Sequence, residues 1–154
     1  MAVNLEFEPR GYRRLFIMRR DLGMSAGKLA AQVSHCAEAY WLQKIREWHK
    51  APEDGGTEVP VEGSVNKEVY DNYVEGAIVK TICQARNKTH LLRARDAALS
   101  MNLVEGKDFG LIRDNCLTEL RPEEDDGRTI TGIWFAPLPD HVAHKLSKKY
   151  QLYK

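Results

Sequence analysis

Five residues in two short stretches have the types and spacing to form a site for an anionic ligand such as phosphate. Lys28, Gln32 and His35 lie in DLGMSAGKLAAQVSHCA (21–37), and Asp114 and Thr118 lie in RDNCLTEL (113–120). A lysine at a helix mouth, beside backbone N–H groups with no helical partner, suits an anionic ligand such as phosphate. An aspartate four positions before a threonine brings a carboxylate and a hydroxyl together on a turn of helix or a tight loop. At about 100° per residue, Lys28, Gln32 and His35 share one narrow sector, and Leu29, Val33, Cys36, Ala37 and Tyr40 share another. The second set is a buried stripe; the first is either a solvated face or a site. Asp114, in an Asp-Asn pair after a strand, also has the chemistry of a turn cap.

Two other chemistries do not fit. A P-loop needs a glycine at position 22 and a hydroxyl after the lysine, where this chain has Leu22 and Leu29. A thiol–imidazole pair is disfavoured because His35 and Cys36 are adjacent, and helical neighbours one apart do not face each other. The three cysteines, Cys36, Cys83 and Cys116, are odd in number and lack a CxxC pair, so they form neither a disulfide framework nor a zinc site. No metal and no other cofactor is expected.

The elements that must position these residues follow from pattern. Leu15–Met18 reads as a short buried strand between arginine pairs. Gly23 gives the turn, and Ser25 caps a helix that runs to about Trp48, with Trp41 and Trp48 as packing groups. Residues 51–66, with two prolines, three glycines and no period, form an acidic loop inserted in a single domain spanning 1–154. A short helical piece covers Lys67 to Val74. Ala77–Ala85 is the second strand, followed by a helix capped by Asn87 or Thr89 and reaching Met101. Asp108–Arg113 and Thr129–Ala136 are the third and fourth strands, and a last helix runs from Pro139 or Asp140 to about Lys149. This order implies an α/β fold, a three-layer sandwich with a mixed four-stranded sheet and helices on both faces. Ligands collect at the carboxyl ends of parallel strands, so if the first and third strands are parallel neighbours, Lys28 and Asp114 face one crevice.

Charge is unevenly distributed along the chain. Net charge is +1, yet Arg10 to Lys28 holds six basic residues against Asp21, and Glu53 to Glu75 holds seven acids against Lys67. The basic stretch could guide a polyanion, with Arg19 and Arg20 nearest the lysine, or could be the solvated ends of a strand. No apolar run approaches the roughly 20 residues of a membrane helix. Together with the cysteine usage, this predicts a cytoplasmic protein with no membrane partner.

Both stretches match a known family. The chain resembles the type 2 peptidyl-tRNA hydrolases, the archaeal and eukaryotic form of the enzyme, whose first motif is close to DLGMGKGKIAAQxxHA and whose second is close to LIRDAGRTQI; residues 111–120 here read LIRDNCLTEL. The end of the chain, ITGIWFAPLP and then KYQLY, is similar to the family's last strand, turn and closing helix. The resemblance implies hydrolysis of the ester joining peptide to tRNA, without a metal, on the fold described above. It carries functional roles onto Lys28, Gln32, His35, Asp114 and Thr118. Three positions depart from the pattern: Ala26 replaces a lysine, Leu117 an arginine and Glu119 a glutamine. A carboxylate at 119 beside a polyanion site needs something positive to neutralise it.

On this reading Lys28 meets the developing oxyanion or the terminal phosphate, Asp114 orients or deprotonates water, and Thr118 bonds to Asp114 or to substrate. Gln32 and His35 hold the ribose or the peptide carbonyl, and Arg19 and Arg20 contact substrate. The expected partner is peptidyl-tRNA, with a homodimer as the possible assembly. One rival is a non-catalytic tRNA- or protein-binding module on the same fold. Another is a hydrolase of a smaller acylated substrate whose entrance the acidic insertion narrows.

Overall fold

At the centre of the sheet is β1, Tyr12–Arg19, buried from Arg14 to Arg19. The computed structural model describes residues 11–52 and 54–154; Arg10 and Glu53, counted in the charged stretches above, lie outside the described residues. The strand is longer than its apolar run because Arg14 and Arg19 lie inside it. Arg14 is 0% exposed and donates to the carbonyls of Phe135 (2.6 Å), Cys36 (2.9 Å) and Ala37 (3.0 Å). Buried polar groups persist when their hydrogen bonds are satisfied, and no pattern of hydropathy reveals such partners in advance.

The helix α1, Ala26–Trp48, begins at Ser25, whose side chain accepts from the Lys28 N–H. Its 23 residues rise about 34 Å, so its two ends lie at opposite edges of the sheet. α2, Lys67–Val69, passes into a π-helical turn at Tyr70–Val74. β2, Val79–Ala85, leads to α3, Lys88–Ser100, which is capped by Asn87 and not by Thr89. Then come β3 (Phe109–Asp114), β4 (Thr129–Phe135), β5 (Leu138–Pro139), α4 (Asp140–Ser147) and β6 (Gln151–Leu152).

Among the described residues the sheet has six strands rather than the expected four, in the order β3-β4-β1-β2-β6, with β5 paired to β1. The two extra strands are two residues long, too short to leave a period in the sequence. β1 and β2 are parallel, registered from Arg13↔Val79 to Arg19↔Ala85, and the other pairs are antiparallel. β1 and β3 are therefore not neighbours, because β4 lies between them. Two successive antiparallel pairings still leave them pointing the same way, so their carboxyl ends share an edge.

Side chains alternate across β1. Leu15 and Ile17 pack with Leu91, Ala94 and Ala98 of α3 and with Ala143 and Leu146 of α4. Phe16 and Met18 pack with Cys36 and Tyr40 of α1 and with Trp134. The result is a mixed α/β fold with its core divided between these two clusters.

The acidic insertion sits at the far end of α1. Glu62 N–H donates to Trp48 O, Lys50 N–H donates to Pro60 O, and a Cβ on Gly63 would come within 2.3 Å of the Trp48 ring. From Lys28 to Trp48 the helix rises about 30 Å, so this loop does not narrow an entrance at Lys28. Among the described residues, no helix is long and apolar enough to cross a membrane.

Candidate active site

The chain leaves β1 at Arg19, turns at Gly23 in the left-handed region (φ +57°), and enters α1 with Lys28 in the first turn. The segment after β3 approaches from the other side. Lys28 Nζ donates to Asp114 Oδ1 at 2.7 Å and to Thr118 Oγ1 at 3.0 Å. The lysine and aspartate side chains are 13% and 11% exposed, so the pair is shielded but still reachable.

Asp114 is held from three directions. Oδ1 accepts from Lys28 and from Gln32 Nε2 (3.1 Å), and Oδ2 accepts from the N–H of Cys116 (2.9 Å). Cys116 itself has φ +57°, an uncommon backbone for a non-glycine residue, and it turns that N–H back onto the carboxylate. Burial pushes the Asp114 carboxyl up, but the hydrogen bonds from Lys28 and Cys116 outweigh it and hold the group below its usual range. Asp114 is thus an anion with three acceptor positions filled. A carboxylate offers about four, which leaves one on Oδ2 for water. Lys28 likewise has one of its three N–H groups left after Asp114 and Thr118.

Gln32 is 1% exposed and not on a solvated face. Its Nε2 serves Asp114, and its Oε1 accepts from Thr131 Oγ1 at 2.6 Å. His35 lies about 10 Å farther along α1 and is exposed, outside the cluster. Arg19 is buried: its guanidinium donates to Asp21, to Glu123 and to the Ile130 carbonyl. It is not brought to the Lys28 cluster but braces the loops on either side of it. Arg20 is exposed at the same edge, with its guanidinium 5.3 Å from the centre of the Tyr153 ring.

Two threonines of β4 complete the site and were not singled out from the sequence. Thr131 fixes Gln32. Thr129 donates to Arg121 O (2.7 Å) and accepts from the Glu123 N–H (3.1 Å), setting the path of the loop after Thr118. Their only signal was a polar residue at alternate positions of an otherwise apolar strand, TITGIWF. Glu119 has a definite place as well. Its carboxylate accepts from the Ser25 N–H (3.1 Å) and the Ser25 hydroxyl at the N-terminus of α1. These bonds, with Lys28 nearby, lower its pKa, so the neutralising charge comes from the helix mouth. Leu117 is 86% exposed. Among the described residues, no group of three His, Cys, Asp or Glu is placed to hold a metal ion.

Fold and site together define a mixed α/β protein with a lysine–carboxylate–hydroxyl cluster at the carboxyl ends of its strands. The model of the peptidyl-tRNA hydrolase PTH2 family matches residues 12–153, and the chain belongs to that family. A peptidyl-tRNA hydrolase of Thermococcus onnurineus is 28% identical over 144 residues, covering 92% of this chain and 97% of its own. One of Methanopyrus kandleri is 31% identical over 111 residues, covering 72% of this chain and 76% of its own. A solved protein of unknown function from Agrobacterium tumefaciens shares the fold, with a TM-score of 0.51 and 12% identity, covering 93% of this chain and 98% of that one.

Proposed function

We infer that the protein hydrolyses the ester between peptide and tRNA without a metal, releasing free tRNA and peptide. One observation carries the reading in a chain of this family: Lys28 and Asp114, 86 residues apart, meet at 2.7 Å with Thr118 on the same lysine. Water held on the open position of Asp114 Oδ2 attacks the ester carbonyl carbon. The third N–H of Lys28 meets the oxyanion, and Thr118 keeps the lysine aimed. As the bond from carbonyl carbon to ribose oxygen breaks, the proton taken from water passes to that oxygen, which leaves as a hydroxyl. A carboxylate held below its usual range is a weak base, so Asp114 first orients the water, takes its proton only as the new carbon–oxygen bond forms, and hands that proton to the ribose oxygen.

Gln32 is a positioning residue, because both ends of its amide are engaged within the protein. His35 and Arg20 are the exposed groups available to the tRNA end, and Arg19 positions the loops. The two core clusters support the three-layer arrangement of a single domain. A cytoplasmic location and homodimeric assembly belong to the same reading; sedimentation measures the second.

A single-turnover assay on peptidyl-tRNA, aminoacyl-tRNA and a simple ester tests the reading. The expected result is peptide release from peptidyl-tRNA well above the other two. Tight tRNA binding with no release would make the protein a binding module, and equal action on the simple ester would make it a hydrolase of smaller substrates.

A further inference from the structure

A second basic feature lies outside the site. Between the start of α3 and the end of α4 runs a groove of about 540 Å³ lined by Arg86, Arg93, Lys145, Lys148 and Lys149, with no carboxylate among the described lining residues. All five cations are exposed. Among the described residues none is in an ion pair; the neighbouring Lys88 and Arg95 are the ones taken, by Glu124 and Asp96. The floor is rigid. His90 stacks on Tyr150 at 4.4 Å and 15°, Tyr150 OH donates to His90 O at 2.7 Å, and His90 Nδ1 accepts from the Arg86 N–H at 3.1 Å. Burial, with Arg86 and Arg93 close by, lowers the His90 pKa, as a positive local field would.

The groove opens at the same edge as Lys28. β1 and β2 are parallel with Arg19 opposite Ala85, so Arg20 and Arg86 are the next residues on adjacent strands, roughly 5 Å apart along the edge. Arg20 N–H donates to Ala85 O at 2.8 Å and locks that step. Exposed positive charge therefore continues from Arg20, just past β1, to Arg86, just past β2, and on to Arg93 of α3.

We propose that this groove binds the phosphodiester backbone of the base-paired arm of tRNA, leading it away from the scissile ester at Lys28. The proposal rests on the peptidyl-tRNA reading and extends it. The charges are spread rather than convergent: Arg86 precedes the Asn87 cap of α3, Arg93 lies in the second turn of that helix, and Lys145, Lys148 and Lys149 come from the end of α4 and the turn after it, which fits successive phosphates better than one small anion. His90 is buried and covers one face of Tyr150, so the exposed groups of the groove are its cations rather than rings on which unpaired bases stack. Contact with the backbone of a duplex is what remains.

The test is the triple variant Arg93→Ala, Lys145→Ala, Lys149→Ala, assayed on peptidyl-tRNA and on the same peptide esterified to the 3′-terminal trinucleotide alone, which lacks the base-paired arm. With melting unchanged, kcat/KM on peptidyl-tRNA is expected to fall about tenfold or more at physiological salt, and the log–log salt slope to flatten by about 0.7–0.9 for each phosphate no longer neutralised. The trinucleotide ester is expected to react at the parental rate. An unchanged rate and slope on peptidyl-tRNA, or an equal loss on both substrates, overturns the groove's role while the parent's activity keeps the hydrolase reading. A parent inactive on both substrates overturns that reading and the groove with it. Loss of binding to anionic lipid vesicles, with tRNA kinetics intact, would assign the groove to a membrane surface instead and also overturn the proposal.

Discussion

Two regions of this molecule are rich in arginine and lysine, and they put their charge to different uses. The first, 10–28, is contiguous in sequence. In the fold Arg14 is buried under α1, Arg19 is bound by Asp21 and Glu123, Arg13 pairs with Asp140 at 2.8 Å, and Lys28 faces Asp114. Of the described cations there, Arg20 is the one exposed without a carboxylate. The second region is assembled from residues 86–93, at the start of α3, and 145–149, at the end of α4, about 50 residues apart in sequence, and its cations face solvent. A run of charge along a chain is therefore a poor guide to a charged surface. Long-range attraction of a polyanion depends on cations that no carboxylate already neutralises.

The largest effect should come from the charge turned furthest inward. Arg14→Met keeps most of the bulk but strands three buried carbonyls, and is expected to cost on the order of 3 kcal/mol of stability in a denaturant titration. The salt slope of tRNA binding should not change. Parental stability with a flattened slope would mean that Arg14 touches nucleic acid and that the two regions are not distinct.

Lys28 is the member of the first region that meets substrate. Lys28→Ala is expected to lower single-turnover hydrolysis on the order of 10²-fold, with stability changed by no more than about 1 kcal/mol because the pair is near the surface. A much lower melting temperature with full activity in the surviving fraction would make Lys28 structural. Asp114→Asn should show a loss of similar size with near-normal folding, since the amide can still cap the turn but can neither take a proton nor answer the lysine charge. Thr118→Val removes only the hydroxyl on Lys28 and should cost less than either. Parental turnover in Asp114→Asn would remove the carboxylate from the mechanism.

A smaller effect should be seen in pH dependence. The Asp114 pKa is depressed in the folded protein, so its stabilising contribution is fully present above the unfolded carboxylate value and is lost only as pH falls through the lower folded value. Melting temperature measured against pH should drop less steeply for Asp114→Asn than for the parent below the ordinary carboxylate range. Parallel curves would show that the pairing with Lys28 does not stabilise the fold.

The smallest effect belongs to the acidic loop. Replacing residues 54–59 by a short Gly-Ser linker leaves Pro60 to Gly63 docked on Trp48 and is expected to change stability by no more than about 0.6 kcal/mol. The tRNA salt slope should also hold, because this loop is at the opposite edge. A changed slope would show that acidic and basic regions act on the same ligand.

The sequence alone determined what depends on neighbours within a turn or two. The Ser25 cap, the periodic stripe that buries Cys36 and Tyr40, the apolar run of β1, and the placing of Asp114 and Thr118 just after a strand all follow from interactions between residues a few positions apart. The two motifs of the family could also be read there. Tertiary structure alone decided which groups meet. It inserted β4 between β1 and β3, turned Arg14 and Arg19 inward, gave Gln32 its partner Thr131, set Glu119 on the mouth of α1, and aligned the cations at the start of α3 with those at the end of α4. The physical reason is that a hydrogen bond or a charge is satisfied by whatever lies within about 3 Å, and here those partners are from 22 to 121 residues away along the chain.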